Sequence, residues 1–431
     1  MTKKRIIILG AGLAGLSSAW HLQRKGIDCQ IFEKEPEAGG LCRSKNINGF
    51  TFDYDGHLLH FKHRYSFDLV KSLLGNNLAR HKRSAWIYYQ DRYIPYPFQA
   101  NLHGLPLPVL KECLLGFIAA RTGSRRENIN FYDWIIQTFG KGIARHFMVP
   151  YNSKFWTLPL QELTCEWLDG FVPVPSLKEL VGGTVADSQK AFGYNAIFWY
   201  PKNGGIGQLP FALASQVKNI FTGCQATGID FKKKEIEISN GNKEKFDYLI
   251  YTIPLPELSC ISKCLPKQLH SAINKLKWNS VFNLNLGIEG KPRHNKHWIY
   301  FPQQDISFFR VGFFNNFSAG LAPAGKQSLY IEVSYSKDKP IDKARILKSI
   351  IKDLNKAEIL DKSNKVCTRD INDIKYGYPT YDKNYSPARN LIKDYCLENN
   401  VYLAGRYGSW RYMSMEDSLL NGKEIAFVLP R

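Results

Sequence analysis

The start of the chain carries the clearest chemistry. Gly10-Ala11-Gly12-Leu13-Ala14-Gly15 fits the pattern G-x-G-x-x-G, and Glu33 follows 18 positions after Gly15. Gly10 permits a tight turn, Gly12 lets a pyrophosphate approach the backbone, and Gly15 lets a helix pack closely on a strand. The free amides of that helix start, Leu13 and Ala14 among them, and the positive end of its dipole favour an anion. Glu33 is suited to accept hydrogen bonds from an adenosine ribose. Together these residues predict a bound dinucleotide.

Other residue types invite other chemistry. His57, His60 and His63 recur every third position, and Cys260 and Cys264 form a lone C-x3-C. No second pair of ligands accompanies either group, so no metal site is predicted. Nine cysteines between Cys29 and Cys396 form no disulfide framework, which fits a reducing compartment. Arg310 stands among aromatic residues in an alternating segment, Phe308-Phe309-Arg310. Turned inward, as expected here, it must be paired or meet a ligand, because a lone buried guanidinium is very costly.

These residues need elements to position them. Ile6 to Leu9 is a continuous apolar run ended by glycine, the pattern of a strand buried on both faces. The segment after Gly15 has helical spacing and stops at Gly26, and Cys29 to Glu33 is a second strand. This is one right-handed βαβ unit. Residues 49–97 are mixed, 105–150 mainly helical, and 217–252 short strands with a turn at Ser239-Asn240-Gly241-Asn242. Strand-like alternation returns between Ser280 and Ser336. A helix is expected at 342–355, a strand-like segment at Val401 to Gly405, and a last helix from Met415 to Phe427.

Both ends of the chain resemble the amine-oxidase-like flavoproteins. The paired glycines in Glu37-Ala38-Gly39-Gly40-Leu41-Cys42-Arg43, the strand Tyr248 to Thr252 and the segment Tyr402 to Gly408 fall in that family's order. The resemblance implies FAD, contacted by Gly10, Gly12, Leu13, Ala14, Gly15, Glu33, Lys34, Gly39, Gly40, Leu41, Gly56, His57, Gly405, Arg406, Tyr412, Met413 and Ser414. Five interior segments look like UDP-galactopyranose mutase of the eukaryotic type. They are Gly56-His57-Leu58-Leu59; Tyr96-Pro97-Phe98-Gln99; Tyr151 to Trp156; Phe192 to Asn195 with Tyr200-Pro201 and Gly204-Gly205-Ile206-Gly207; and Gly405 to Tyr412.

That resemblance implies pyranose/furanose ring interconversion of a nucleotide sugar through an adduct of the sugar with reduced flavin N5, with NADPH or NADH as a reductant. It also implies a place in cell-surface polysaccharide biosynthesis. Carried over residue by residue, it makes His57, Asn195 and Arg310 catalytic, and gives Tyr96, Gln99, Asn152, Trp156, Tyr378 and Tyr412 to the substrate. Two positions depart from the pattern: Phe171 stands where the family has a second diphosphate arginine, and Phe317 where it has a tyrosine. Arg121, Arg125, Arg126 and Arg145 are the cations available to substitute. The alternatives are an FAD oxidoreductase of the amine-oxidase or protoporphyrinogen-oxidase type, and a flavin-binding protein with degraded catalysis.

Composition bounds the rest. The chain has 431 residues, 44% hydrophobic and 13% aromatic, which excludes a disordered or fibrous chain. No apolar run reaches the roughly 18–20 residues that span a bilayer, and the first residues do not read as a secretory signal, so a cytoplasmic place is expected. The net charge of +20 favours anionic partners. A nucleotide sugar or another anionic small molecule is expected, no specific nucleic acid is, and the charge allows peripheral contact with an anionic membrane. Oligomeric state is not legible. The expected fold is α/β (α+β overall). A discontinuous Rossmann-like FAD-binding domain (1–80, 200–265 and 365–431) carries a helical insert (81–199) and a β-rich cap (266–364), with the site at the C-terminal edges of the parallel strands.

Overall fold

A computed structural model describes residues 4–429 except 125, 128, 169, 187–195, 291–292 and 362. The opening unit is β1 (Ile6–Leu9), α1 (Leu13–Arg24) and β2 (Gln30–Phe32). It sits in a five-stranded sheet whose order is Val401–Leu403, Tyr248–Tyr251, β1, β2, Ile220–Phe221, all parallel. Ile7, Ile8 and Ile31 are fully buried, as the apolar runs require. Helix Met415–Val428 packs along α1, with Gly422 against the Ala14 carbonyl oxygen. Gly10, Glu33, Thr252 and Gly405 therefore line up just beyond the C-terminal ends of four parallel strands.

The second layer is a seven-stranded sheet: Val366–Thr380, Lys277–Glu289, Lys326–Tyr335, Arg310–Phe313, Trp298–Tyr300, Ala85–Tyr89, Arg92–Pro95. It crosses the boundaries read from the sequence. Two of its strands, Ala85–Tyr89 and Arg92–Pro95, come from the segment expected to be helical. Val366–Thr380 comes from the segment expected in the cofactor domain. The strand Leu78–Lys82 likewise pairs with Ile197–Pro201. These pairings join segments far apart in sequence: Trp298 pairs with Ala85 in parallel register, and Lys277 with Thr380 in antiparallel. Local periodicity carries no record of either.

Between these pieces lie helices Leu107–Thr122, Phe131–Ile143 and Val149–Trp156, as the spacing around Phe117, Ile135 and Phe139 predicts. No helix among the described residues is long and apolar enough to cross a membrane.

Candidate active site

The glycine turn has the form its sequence demands. Gly10 takes a φ of +96°, and a Cβ on Gly15 would stand 2.0 Å from the Gly10 carbonyl oxygen, so neither position tolerates a side chain. A Cβ on Gly12 would meet nothing within 4 Å. Gly12 also caps α1 without any side-chain hydrogen bond, so the helix start presents bare amides to open space. The second glycine pair closes over the turn: the Gly39 amide donates to the Ala11 carbonyl at 2.8 Å, and a Cβ on Gly40 would lie 3.3 Å from the Gly12 Cα. Leu13 and Ala14 are buried beneath, and Leu41 is half-buried.

Glu33 is buried, and each carboxylate oxygen already accepts a backbone amide, from Ala11 at 2.7 Å and from Glu35 at 2.9 Å. It therefore fixes the turn, with its remaining lone pairs left for a ribose. Lys34 points to solvent in a loose ion pair with Glu35.

Across the site stands a cluster of cations and phenols. The Arg406 guanidinium lies 4.4 Å over the Tyr378 ring, 5.0 Å over Tyr412 and 5.6 Å over Tyr407, and its Nη2 donates to the Gly377 carbonyl at 3.0 Å. Its Nε is buried with no partner. Gly405, at φ +72°, lets this segment touch Ala14. Met413 is buried, and its carbonyl accepts from Arg406 at 3.5 Å. The Ser414 hydroxyl is taken up in the capping box of the last helix with Asp417.

Arg310 is half-buried, not free. Its Nε and Nη2 donate to the two oxygens of Glu332, its cross-strand partner, which is fully buried. The inward direction expected from the sequence holds, and the charge it meets is a carboxylate. His57 Nδ1 lies 3.2 Å from the Asp55 carbonyl oxygen, and burial pushes the imidazole below its ordinary range, so it is neutral at neutral pH. Gly56 has to be glycine: a Cβ there would lie 2.5 Å from the Tyr330 ring.

The substrate residues inferred from the sequence gather on the same side. Tyr96 and Tyr300 rings lie 5.2 Å apart, Tyr378 and Tyr412 stack at 5.7 Å, and Trp156 packs on Trp167 and Tyr378. Burial lifts the phenols of Tyr96, Tyr151, Tyr300, Tyr330 and Tyr378 above the ordinary range, so they remain hydrogen-bond donors. Gln99 Nε2 donates to the Pro173 carbonyl at 2.7 Å while its Oε1 is buried without a partner, and Trp156 Nε1 is also orphaned. Asn152 spends its amide on the Met148 carbonyl one turn back. Asn195 lies outside the described residues.

The departures from the family pattern are also placed. Phe171 meets Tyr412 edge-on at 4.5 Å. Phe317 is a core ring, 5.3 Å from Tyr200. Arg121 donates to Pro175, and Arg145 is exposed beside Glu112, so both are engaged on the helical part. Arg126 is exposed, and Arg125 lies outside the described residues. Among the described residues, Lys62 brings a cation to Phe171, 5.7 Å above the ring.

Residues 13–428 match the model of the flavin containing amine oxidoreductases. The chain belongs to that family. Among solved structures it is similar to reduced UDP-galactopyranose mutase, with a TM-score of 0.94 and 29% identity over 99% of this chain and 93% of that one. A CLA-producing fatty acid isomerase from P. acnes shares the fold at a TM-score of 0.70 and 13% identity, covering 99% of each chain. A zeta-carotene-forming phytoene desaturase of Myxococcus xanthus is 44% identical over 50 residues, 12% of this chain and only 10% of that relative's length. The mutase-like fold read from the interior segments is thus borne out, as is the α/β architecture.

As a member of the amine oxidoreductase family, the protein is a flavin enzyme, and its residues fit FAD. The bare start of α1 and the open space over Gly12 suit the diphosphate. The unpartnered Arg406 Nε offers a buried donor where the turn, His57 and the C-terminal segment converge.

Sequence reasoning missed four contributors: Asp55, Tyr300, Tyr330 and Glu332. Tyr330 and Glu332 lie in a segment that reads as an alternating strand, but only the observed register brings Glu332 opposite Arg310.

Proposed function

We propose that the protein is an FAD-dependent mutase acting on a nucleotide-linked sugar, interconverting its pyranose and furanose rings. The observation that carries this reading is the convergence of Arg310 and Arg406 with the phenols of Tyr378 and Tyr412 on one side of the inferred flavin site. A site of this kind suits a diphosphate leaving group, whose charge grows on oxygen as it departs.

Each residue has a task. Gly10, Gly12, Gly15, Gly39 and Gly40 seat the FAD diphosphate, Glu33 the ribose, and Arg406 the far end of the cofactor. Reduced FAD, when bound, would supply an electron-rich nitrogen as nucleophile. Neutral His57 offers a hydrogen bond without adding charge. Tyr96, Gln99 and Trp156 frame the nucleotide, and Arg310 and Tyr378 hold the diphosphate. With Phe171 in place of a cation, Lys62 supplies positive charge at that edge.

The test is turnover without electron consumption. With the flavin reduced by dithionite or NADPH and oxygen excluded, UDP-galactose or a related nucleotide sugar should yield furanose product over many cycles per reduction. Product formation that consumes one equivalent of oxidant per turnover would instead support an amine-oxidase-type oxidoreductase, the second reading, which the family membership favours.

A further inference from the structure

Helix Leu107–Thr122 is unusual for a helix at the surface. Of its 16 residues, Lys111, Glu112 and Arg121 carry the charge, so it has no broad polar face to turn to water. A helix apolar all round is expected to be buried. Three of its sides are covered. Cys113 and Phe117 are fully buried in the helical part. Gly116 lies so close to helix Phe131–Ile143 that a Cβ there would stand 3.0 Å from the Gly142 amide nitrogen. Arg121 Nη2 donates at 2.8 Å to the Pro175 carbonyl, just ahead of helix Leu177–Val185. The fourth side is bare. Leu107 and Leu115 are 62% and 64% exposed, and Ile118 is exposed one turn on.

The neighbouring helix repeats the pattern. Leu177–Val185 buries Leu180 and Gly183. It leaves Leu177, Val181 and Val185 exposed, Val185 by 75%. The two helices run antiparallel. Pro175, at the start of the second, meets Arg121 near the end of the first. The Gly183 carbonyl, near the end of the second, accepts the Leu102 and His103 amides at 2.8 and 2.7 Å, just ahead of the first. The two outward faces therefore lie side by side as one apolar surface, and a continuous patch of this kind marks an interaction site.

We propose that this face docks the protein on an anionic lipid bilayer, with both helices lying along the headgroup region. Charge selects the partner. Lys111 and Lys178 are exposed among the apolar side chains, and Arg121 adds a cation at one end. The acidic residues of the two helices are engaged elsewhere: Glu112 meets Arg145 and His146, and Glu179 closes the capping box with Ser176. Past the first helix, Arg126 and Glu127 are both exposed and offset one another in charge. Exposed apolar side chains interleaved with lysine are the composition of a helix that lies in a membrane interface. A second copy of the chain is the poorer occupant. Each copy carries a net charge of +20, and pairing two such faces brings like charges together.

The docking face adjoins the inferred substrate pocket. Gly183 has to be glycine, since a Cβ there would stand 1.9 Å from the Ala100 carbonyl oxygen. Gln99, next in the chain to Ala100, donates to the Pro173 carbonyl, shortly before the second helix begins. The membrane-facing helix is thus built on the segment that carries Gln99. The docking itself does not depend on what that pocket binds.

Flotation of the FAD-loaded protein with lipid vesicles tests the face. The wild type should float with vesicles of phosphatidylglycerol and phosphatidylcholine in equal parts. It should bind pure phosphatidylcholine more weakly, and high salt should reduce binding to the mixed vesicles. Leu115→Glu combined with Val185→Glu should lower affinity for the mixed vesicles by about tenfold or more. Both side chains already face water, so flavin content and Tm should match the wild type. Lys111→Gln with Lys178→Gln should cost roughly fivefold for each lysine removed. Phe211→Glu, at a side chain 70% exposed on helix Gln208–Ala214, should bind vesicles like the wild type. A wild type that stays in the soluble fraction overturns the proposal. So does a Leu115→Glu, Val185→Glu protein that floats as well as the wild type, or an equal loss in Phe211→Glu. Sedimentation velocity without lipid covers the remaining occupant: a wild-type dimer that Leu115→Glu with Val185→Glu dissociates would assign the face to a second copy and overturn the membrane assignment.

Discussion

The Gly15 Cα faces the Gly10 carbonyl so closely that an added Cβ would stand 2.0 Å from the oxygen, whereas one on Gly12, three residues earlier, would meet nothing within 4 Å. Two glycines of one motif thus serve different ends, and substitution separates them. Gly12→Val should keep the fold, because the side chain projects into the space assigned to the diphosphate, but the purified protein should lack flavin. Gly15→Ala should shift backbone and cost about 1–3 kcal/mol of stability or more. Flavin absorbance of the two purified variants and their thermal denaturation check this. A Gly12→Val protein that retains FAD would argue against the assigned turn.

Asp53 gives a pH prediction. It is buried and accepts from Ser44 Oγ at 2.6 Å, Tyr200 Oη at 2.6 Å and the Ile206 amide at 3.1 Å. The run Gly204-Gly205-Ile206-Gly207 is shaped around it: a Cβ on Gly205 would lie 2.6 Å from its carboxylate. Burial nevertheless pushes Asp53 up to about 6. The folded state then binds the proton more tightly than the unfolded chain, so this residue's contribution falls as pH rises from about 4 to 6, by about 3 kcal/mol. Asp53→Asn removes that slope. Urea denaturation of both proteins at several pH values should show the variant gaining on the wild type across this window and the difference levelling off above it. A difference independent of pH would contradict the assignment.

How much of this was legible beforehand follows from what kind of contact each residue makes. Gly10, Gly12, Gly15 and Glu33 act through local backbone geometry, and their spacing announces them. Arg310 was legible as an inward charge, but its partner was not. Glu332 lies 22 residues away, and only the register of two antiparallel strands makes them neighbours. The same holds for strands Ala85–Tyr89 and Val366–Thr380, whose place in one seven-stranded sheet depends on long-range register that local periodicity does not carry. Ser414, assigned to the cofactor by the resemblance alone, has its hydroxyl taken up in capping the last helix, a local role its spacing to Asp417 also announces.

Lys154 holds a loop rather than a ligand. It is buried, and the three N–H groups of its ammonium are shared among the carbonyls of Phe301, Gln303, Ile306 and Phe308, with the Phe301 and Ile306 oxygens both 2.9 Å away. The strand that carries Arg310 begins two residues after the last of these. Lys154→Met should leave those carbonyls unsatisfied and cost of order 4 kcal/mol. Chemical denaturation checks the stability, and nucleotide affinity should fall with it, because Arg310 loses its anchor. Unchanged stability would show that the four carbonyls do not depend on this ammonium.

Arg310 also poses a problem of interpretation that a pair of variants resolves. Arg310→Ala should lower nucleotide affinity tenfold to over a hundredfold, corresponding to about 1.5–3 kcal/mol for a lost charge-assisted contact, while FAD stays bound. The same change strips Glu332 of its partner, and an uncompensated buried charge costs about 3–5 kcal/mol in stability. Weak binding by this variant alone could therefore reflect a damaged fold. Replacing both members, Arg310→Met with Glu332→Leu, removes the charges together and should return stability to near the wild-type value, since buried ion pairs are often matched by apolar residues of similar size. Nucleotide affinity should remain low in the double variant, because no guanidinium is left to meet the diphosphate. Titration calorimetry and thermal denaturation on the three proteins decide the matter. A stable double variant that binds the nucleotide as tightly as the wild type would confine Arg310 to a structural role.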